Sequence, residues 1–245
     1  MRSKFFGTFL GVMFLTSFFV CQASAAKFSV TVKNLTHGTW FTPLLITAHD
    51  RHTDLFETGG TASIKLQAMA EGGDISDLLD YVNGQGANSN ANPAGGLLAP
   101  GEAVRDVFFD TDRSRNKYLS IVAMLLPTND GFVGLDSLRI PIIPGTYTYY
   151  LNGYDAGTEV NDELINTIDG GTPGKPGIPA DPGGDAGIDG TGATDIEANK
   201  KVHIHPSVIG DTDPAGGISD LDGAIHRWQN PVAEVIIEVH HRRWR

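Results

Sequence analysis

Two short acidic segments hold the residue types best able to do chemistry. The first is Pro127-Thr-Asn-Asp-Gly-Phe-Val-Gly-Leu-Asp-Ser-Leu138 and the second is Tyr154-Asp-Ala-Gly-Thr-Glu-Val-Asn-Asp162. Asp130 follows an apolar β-type run and Asp155 follows a Tyr-rich one, so each carboxylate stands at the end of an expected strand. Hard cations such as calcium take about six to eight oxygens from carboxylates, backbone carbonyls and water. Gly131, Gly153 and Gly157 would let the backbone turn carbonyls inward without steric cost. By spacing alone, such Asp-Gly pairs serve as plain turns at least as often.

Other chemistries have weaker support. His203 and His205 lie two apart on an expected strand and so share a face, where a transition metal could join them with His226 or His49 as third ligand. Packing or hydrogen bonding is the commoner fate of such a pair. His240 and His241 project to opposite faces. Asp130 and Asp155 could act as an acid/base pair only beside a sugar-sized cleft with aromatic platforms. Trp40, Phe41 and Phe56 are available for that, but read more simply as core. Cys21 is the only cysteine, and G-x-S-x-G and H-E-x-x-H are both missing. Gly-rich tracts lack the Lys-Ser/Thr that cradles phosphate. No catalytic or cofactor-binding residue is assigned, and the chain is expected not to be an enzyme. The alternative is a secreted metal-dependent enzyme using the acidic loops or the His203/His205 pair.

The elements that must position these residues are mainly strands. Residues 27–33 alternate apolar and polar, as expected for a strand with one buried face. Residues 40–49 continue in extended style, with Pro43 marking an edge or bulge. Ile64 to Ala70 reads as a helical piece broken at Gly72-Gly73, and Asp74 can cap a second in which Ile75, Leu78, Leu79 and Val82 share a face. Gly84 to Gly96 has no periodicity and reads as a loop excursion. Strands are expected over 103–109, 118–126, 132–142, 146–151, 201–206 and 231–240, the run 118–126 being apolar enough for burial on both faces. Thr167 to Asn199 reads as an exposed Pro/Gly-rich loop. Its Gly-Thr-Pro-Gly-Lys-Pro-Gly-Ile-Pro imitates a collagen triplet but loses register at once. About eight strands with turn-rich links and a short helical insertion predict an antiparallel β-sandwich forming one domain over residues 27–241.

The chain has 245 residues and a formal net charge of −11. That acidity argues against nucleic acid and against charge-driven adhesion to anionic lipid. Arg2 and Lys4, the apolar run Phe5 to Val20 and the small residues Ala23 to Ala26 predict a cleaved signal peptide over 1–26. The mature chain is then secreted or periplasmic, with no transmembrane span and no disulfide. Residues 242–245 form a basic tail.

The first acidic segment resembles the P-S-x-D-W-F-V-G-V-D-S-L stretch of the spondin amino-terminal domain family, and Tyr154-Asp-Ala-Gly-Thr-Glu159 is similar to that family's Y-D-A-G-T-D. Phe28 to Leu35, Trp40-Phe-Thr-Pro43, His49-Asp50, Asp54-Leu-Phe56, Leu66 to Glu71 and His203-Ile-His-Pro206 add matches, so the likeness spans most of 27–240 outside the insert. The resemblance implies a β-sandwich holding one calcium at its loop end. It also implies an extracellular interaction or adhesion module, without catalysis, whose partner is a surface protein or glycan. Asp130 and Asp155 match two family ligands. A third acidic ligand is expected before the strand leading to the first motif, where ungapped counting lands on Thr111; Asp112 is favoured, with Asp110 and Glu159 open. Gly131 stands where the family has Trp, which would remove an apolar contact at a loop tip, and Glu159 replaces the second motif's last Asp.

Overall fold

A computed structural model describes residues 26–111, 115–196 and 199–240. Alternation decides the first strand: in β1 (Ala26–Asn34) Phe28, Val30 and Val32 share one face and are fully buried. This strand lies between β10 (Ala233–Val239) and β5 (Ala103–Thr111), antiparallel to both. The first and last strands are therefore neighbours, and Val235, Ile237 and Val239 extend the same buried face.

Burial on both faces, expected for the run 118–126, is seen in β6 (Tyr118–Leu126), where every residue from Leu119 onward is buried. Its side chains alternate between two cores. Leu119, Ile121, Ala123 and Leu125 join Phe28, Val30 and Phe41 inside the sheet. Val122, Met124 and Leu126 meet Leu66, Met69, Leu78 and Val82 from helices α1 (Ile64–Gly72) and α2 (Ser76–Gly84) on the outside. The expected helical insertion is thus two short helices. Ser63 caps the first by accepting the Leu66 N–H at 3.1 Å, and Asp74 accepts the Ser76 N–H at 2.9 Å just before the second.

The remaining strands are β2 (Trp40–Phe41), β3 (Leu45–His49), β4 (Asn88–Ala91), β7 (Gly131–Arg139), β8 (Gly145–Asp155) and β9 (His203–Ile204). Pairing runs β4-β3-β6-β7-β8-β10-β1-β5, with β2 beside β6 and β9 beside β8. β8 makes the path continuous. Its first part, to Leu151, pairs with β10, and Asn152 to Asp155 pair with β7. At the open ends Asn88 and Asn90 of β4 donate side-chain N–H groups to the Asp110 and Phe108 carbonyls of β5, at 3.1 and 3.3 Å. The mainly β, antiparallel expectation holds, but the strands follow one hydrogen-bonded path nearly closed into a barrel, which leaves few free edges.

Two expectations need correction. Gly84 to Gly96 is not simply a loop, because Asn88–Ala91 pairs with β3. The strand is polar because it sits at the barrel seam, where its amides work as donors. Nor is the insert wholly exposed: Ile178 is fully buried in the inner core. Its N–H donates to Leu164 O at 2.8 Å and its carbonyl accepts from Asn166 N at 2.9 Å. Ile178→Ala should therefore lower the unfolding free energy by about 2–5 kcal/mol, as for other emptied core sites. Urea unfolding checks this, since a surface position would lose no more than about 0.5 kcal/mol.

Candidate functional site

Strand register brings the two acidic segments together. Gly131, the first residue of β7, pairs with Asp155, the last of β8, so Asp130 and Asp155 stand side by side at one end of the barrel. The turn before Gly131 is closed by Thr128, whose Oγ1 donates to Leu125 O at 2.6 Å and accepts the Gly131 N–H at 3.0 Å. Both aspartates are fully buried.

The second segment wraps around the first. Asp130 Oδ2 accepts from Thr158 N (2.7 Å), Glu159 N (3.1 Å) and Thr158 Oγ1 (3.2 Å). Asp130 Oδ1 is buried with no hydrogen-bond partner. Asp155 Oδ1 accepts the Gly157 N–H and its Oδ2 accepts from Asn161 Nδ2, each at 2.7 Å. Gly157 has φ +67, and a Cβ there would come within 2.6 Å of Lys201 N, so the wrap requires glycine.

The donors to Asp130 Oδ2 are neutral, so they leave that carboxylate's charge largely uncompensated. Burial, and then the neighbouring Asp155 charge, pushes the Asp130 carboxyl up to about 7. Burial likewise pushes Glu159 up to about 8, with the charges of Glu71 and Asp130 adding to it. Glu159 Oε1 accepts from Gly177 N and from Asn129 Nδ2, while Oε2 is buried without a partner. Asn129 ties the segments together further, donating to Asp162 Oδ1 at 2.8 Å and accepting the Glu163 N–H at 3.1 Å.

Asp110, one of the open alternatives for the third ligand, lies at the other end of the barrel. Asp110 pairs with Lys27 at the start of β1, beside the end of β10 and the start of β8. Asp155 ends that same β8, eleven residues long, or about 30 Å away at roughly 3.3 Å per residue. Asp112 lies outside the described residues; its neighbour Thr111 pairs with Ala26 at the far end. Glu159 is the open alternative that adjoins Asp130. Among the described residues no three His, Cys, Asp or Glu side chains form a ready metal cluster.

The histidines do not form a chelating pair. His205 is buried, its Nδ1 accepts the Ser207 N–H at 3.0 Å, and its ring lies 5.1 Å from that of Trp228. Burial pushes it down to about 3, so it stays uncharged. His203 Nδ1 lies 2.7 Å from Lys201 O and 3.7 Å from Asp155 Oδ1. His226 Nε2 lies 3.7 Å from Asp181. His49 sits at the far end, its Nε2 2.8 Å from Ser120 Oγ. That Ser–His contact has the geometry of an activated nucleophile, but both residues are fully buried and out of a substrate's reach. Phe41 and Phe56 are core residues, Phe56 packing against Phe132 and Tyr154 at 5.0 and 5.1 Å, rather than platforms in a cleft. Gly131 is not at a loop tip. It is buried at the strand start, and a Cβ there would meet Thr128 Oγ1 at 2.7 Å and His205 Cδ2 at 3.1 Å.

The Spondin_N family model matches residues 27–163, a span containing β1 to β8 and both acidic segments. The chain belongs to the spondin N-terminal domain family. No curated protein matches it. The match ends at Glu163, yet the spondin strands β1 and β8 are joined in the sheet only through β10, from beyond the match. Spacing in the sequence signalled Asp130 and Asp155. Asn129 and Glu71 gave no such signal, because their roles depend on contacts made across the fold.

The raised carboxyl values set a pH dependence of stability. A group protonated more readily in the folded than in the unfolded state favours folding at low pH. The benefit is complete below about pH 4 and is lost as pH rises through about 7 and 8, the folded values of Asp130 and Glu159. In excess chelator the melting temperature should fall between roughly pH 5 and 9. Asp130→Asn, which cannot ionise, should flatten that fall. A wild-type profile that rises over this range would contradict the assignment.

Proposed function

We propose that this chain is an extracellular, non-catalytic interaction module that binds one calcium ion between Asp130 and Asp155. The observation that carries the reading is the pairing of two fully buried carboxylates side by side, with one oxygen of Asp130 unpartnered. Two like charges buried side by side are costly, and a divalent cation between them offsets that cost. Asp130 and Asp155 would hold the ion, and Glu159, whose N–H is bonded to Asp130 Oδ2 and whose Oε2 is buried without a partner, is the candidate third ligand once its side chain turns toward them. When bound, calcium supplies charge compensation and a rigid link between the 127–131 turn and the 154–163 segment. An all-oxygen donor set favours calcium over zinc.

In the same reading, the predicted signal peptide over 1–26 directs the chain out of the cytoplasm, and the two halves meeting along β8 correspond to the layers of the family's sandwich. The partner is a surface or matrix protein or glycan, held by loops that the ion keeps in one arrangement. Family membership supports the extracellular and non-enzymatic parts of this reading. Among the described residues no helix is long and apolar enough to cross a membrane.

Calcium at 100 times its dissociation constant should stabilise the fold by about 2.7 kcal/mol through binding linkage. The melting temperature should therefore rise with calcium and fall with chelator. Asp130→Asn or Asp155→Asn should remove the response while leaving a folded protein. Calorimetry with calcium, magnesium and zinc then ranks the metals. A wild-type melting curve indifferent to millimolar calcium would sink the reading.

A further inference from the structure

The insert reaches the acidic end of the barrel through two buried carboxylates that lie 88 positions apart in sequence, Glu71 and Glu159. Gly174 N donates to Glu71 Oε2 at 2.7 Å, and Gly177 N donates to Glu159 Oε1. Glu71 is steadied from its own helix, its Oε1 accepting from Gln67 Nε2 at 2.8 Å. Next to Gly177, Ile178 is fully buried. The residues between the anchors behave differently: Thr172, Pro173, Lys175 and Pro176 are exposed. Backbone contacts replace side-chain packing where the segment crosses the helix end. A Cβ on Gly72 would come within 2.3 Å of Gly171 O.

Glu159 belongs to both neighbourhoods at once. Its N–H donates to Asp130 Oδ2, its Oε1 takes the Gly177 N–H, and its Oε2 is buried without a partner. We propose that residues 172–178 are a strap whose seating on the barrel is set by cation occupancy at Asp130 and Asp155, with Glu159 as the connecting residue. This inference rests on the calcium reading above. A cation taking Glu159 Oε2 fixes the same side chain that receives the strap. The freedom lost in ordering Glu159 is then already spent when Gly177 docks, so strap closure and cation binding favour each other. The strap's outer face, with Lys175 at its crest, is thereby presented in one arrangement only when the site is filled.

Hydrogen exchange read by mass spectrometry on the full chain, run beside calorimetry, tests this. With calcium, exchange across residues 172–178 should slow by at least about fivefold, the lower end of ordinary coupling between sites. In Glu159→Gln, which keeps an acceptor for Gly177 but loses the second carboxylate oxygen, the strap should show the same exchange with saturating calcium and with chelator. Coupling is reciprocal, so Glu71→Ala, which frees the strap at its other anchor, should weaken calcium binding by a similar factor. If calorimetry finds no calcium binding in the wild type, the calcium reading fails and the strap inference fails with it. If calcium binds but strap exchange does not change, the strap inference alone is overturned. Should Glu71→Ala fail to fold, the wild-type comparison decides.

Discussion

The register that sets Gly131 opposite Asp155 is the constraint on which the rest of this end of the molecule depends. It places two carboxylates side by side where water does not reach, and like charges in a dry place resist joint ionisation. The surrounding chain responds with donors. Thr158, Glu159, Gly157 and Asn161 all give N–H groups to one aspartate or the other. These are dipoles and not charges, so they moderate the cost without cancelling it. The 156–163 segment takes its path from these bonds, and that path in turn brings Glu159 to the same place.

The barrel is what makes such a register dependable. β8 serves two partners along its length, and its change of partner after Leu151 carries the chain from the β10 side to the β7 side just before Asp155. A slip of one residue along β8 would exchange its inward and outward side chains. Leu151, packed in the inner core, resists such a slip. On β6 the alternation between two cores has the same effect, since Ile121 and Val122 occupy different cores and neither can be exchanged for the other. The helices contribute by covering the outer face of β6, which holds in place the strand that leads into Pro127.

Much of this architecture was legible in the sequence because it depends on local periodicity. The alternation of β1, the unbroken apolar run of β6 and the two carboxylates at strand ends all show within a window of about ten residues. The features that were not legible depend on distant partners. Asn88-Ser-Asn-Ala91 has no strand signature because the seam needs its amides and not apolar side chains. Asp110 resembled a ligand by its place before β6, but spacing along the chain does not reveal that β6 and β8 carry the chain to the opposite end. Ile178 sits within a tract whose composition reads as solvent-exposed, and one buried isoleucine cannot alter that composition. His205 read as one half of a pair, but it is buried and uncharged, its Nδ1 accepting the Ser207 N–H.

Glu159 is where the part of the chain shared with the family meets the part beyond the match. The family motif ends in Asp at this position, and the added methylene of Glu lengthens the reach of the carboxylate. Here one oxygen accepts from Gly177 in the insert, while the other is buried without a hydrogen-bond partner. The match ends four residues later, at Glu163, whose side chain takes the Gly210 N–H at 2.8 Å and the Ser219 hydroxyl at 2.6 Å. Glu159 and Glu163, within one short segment, therefore join Glu71 in tying the chain beyond the match to this end of the barrel, and they do so by accepting hydrogen bonds, most of them from backbone. Backbone donors tolerate almost any side chain. Outside the buried Ile178, the excursion can therefore vary in composition, with its many glycines and prolines, and still be held where its backbone meets these carboxylates.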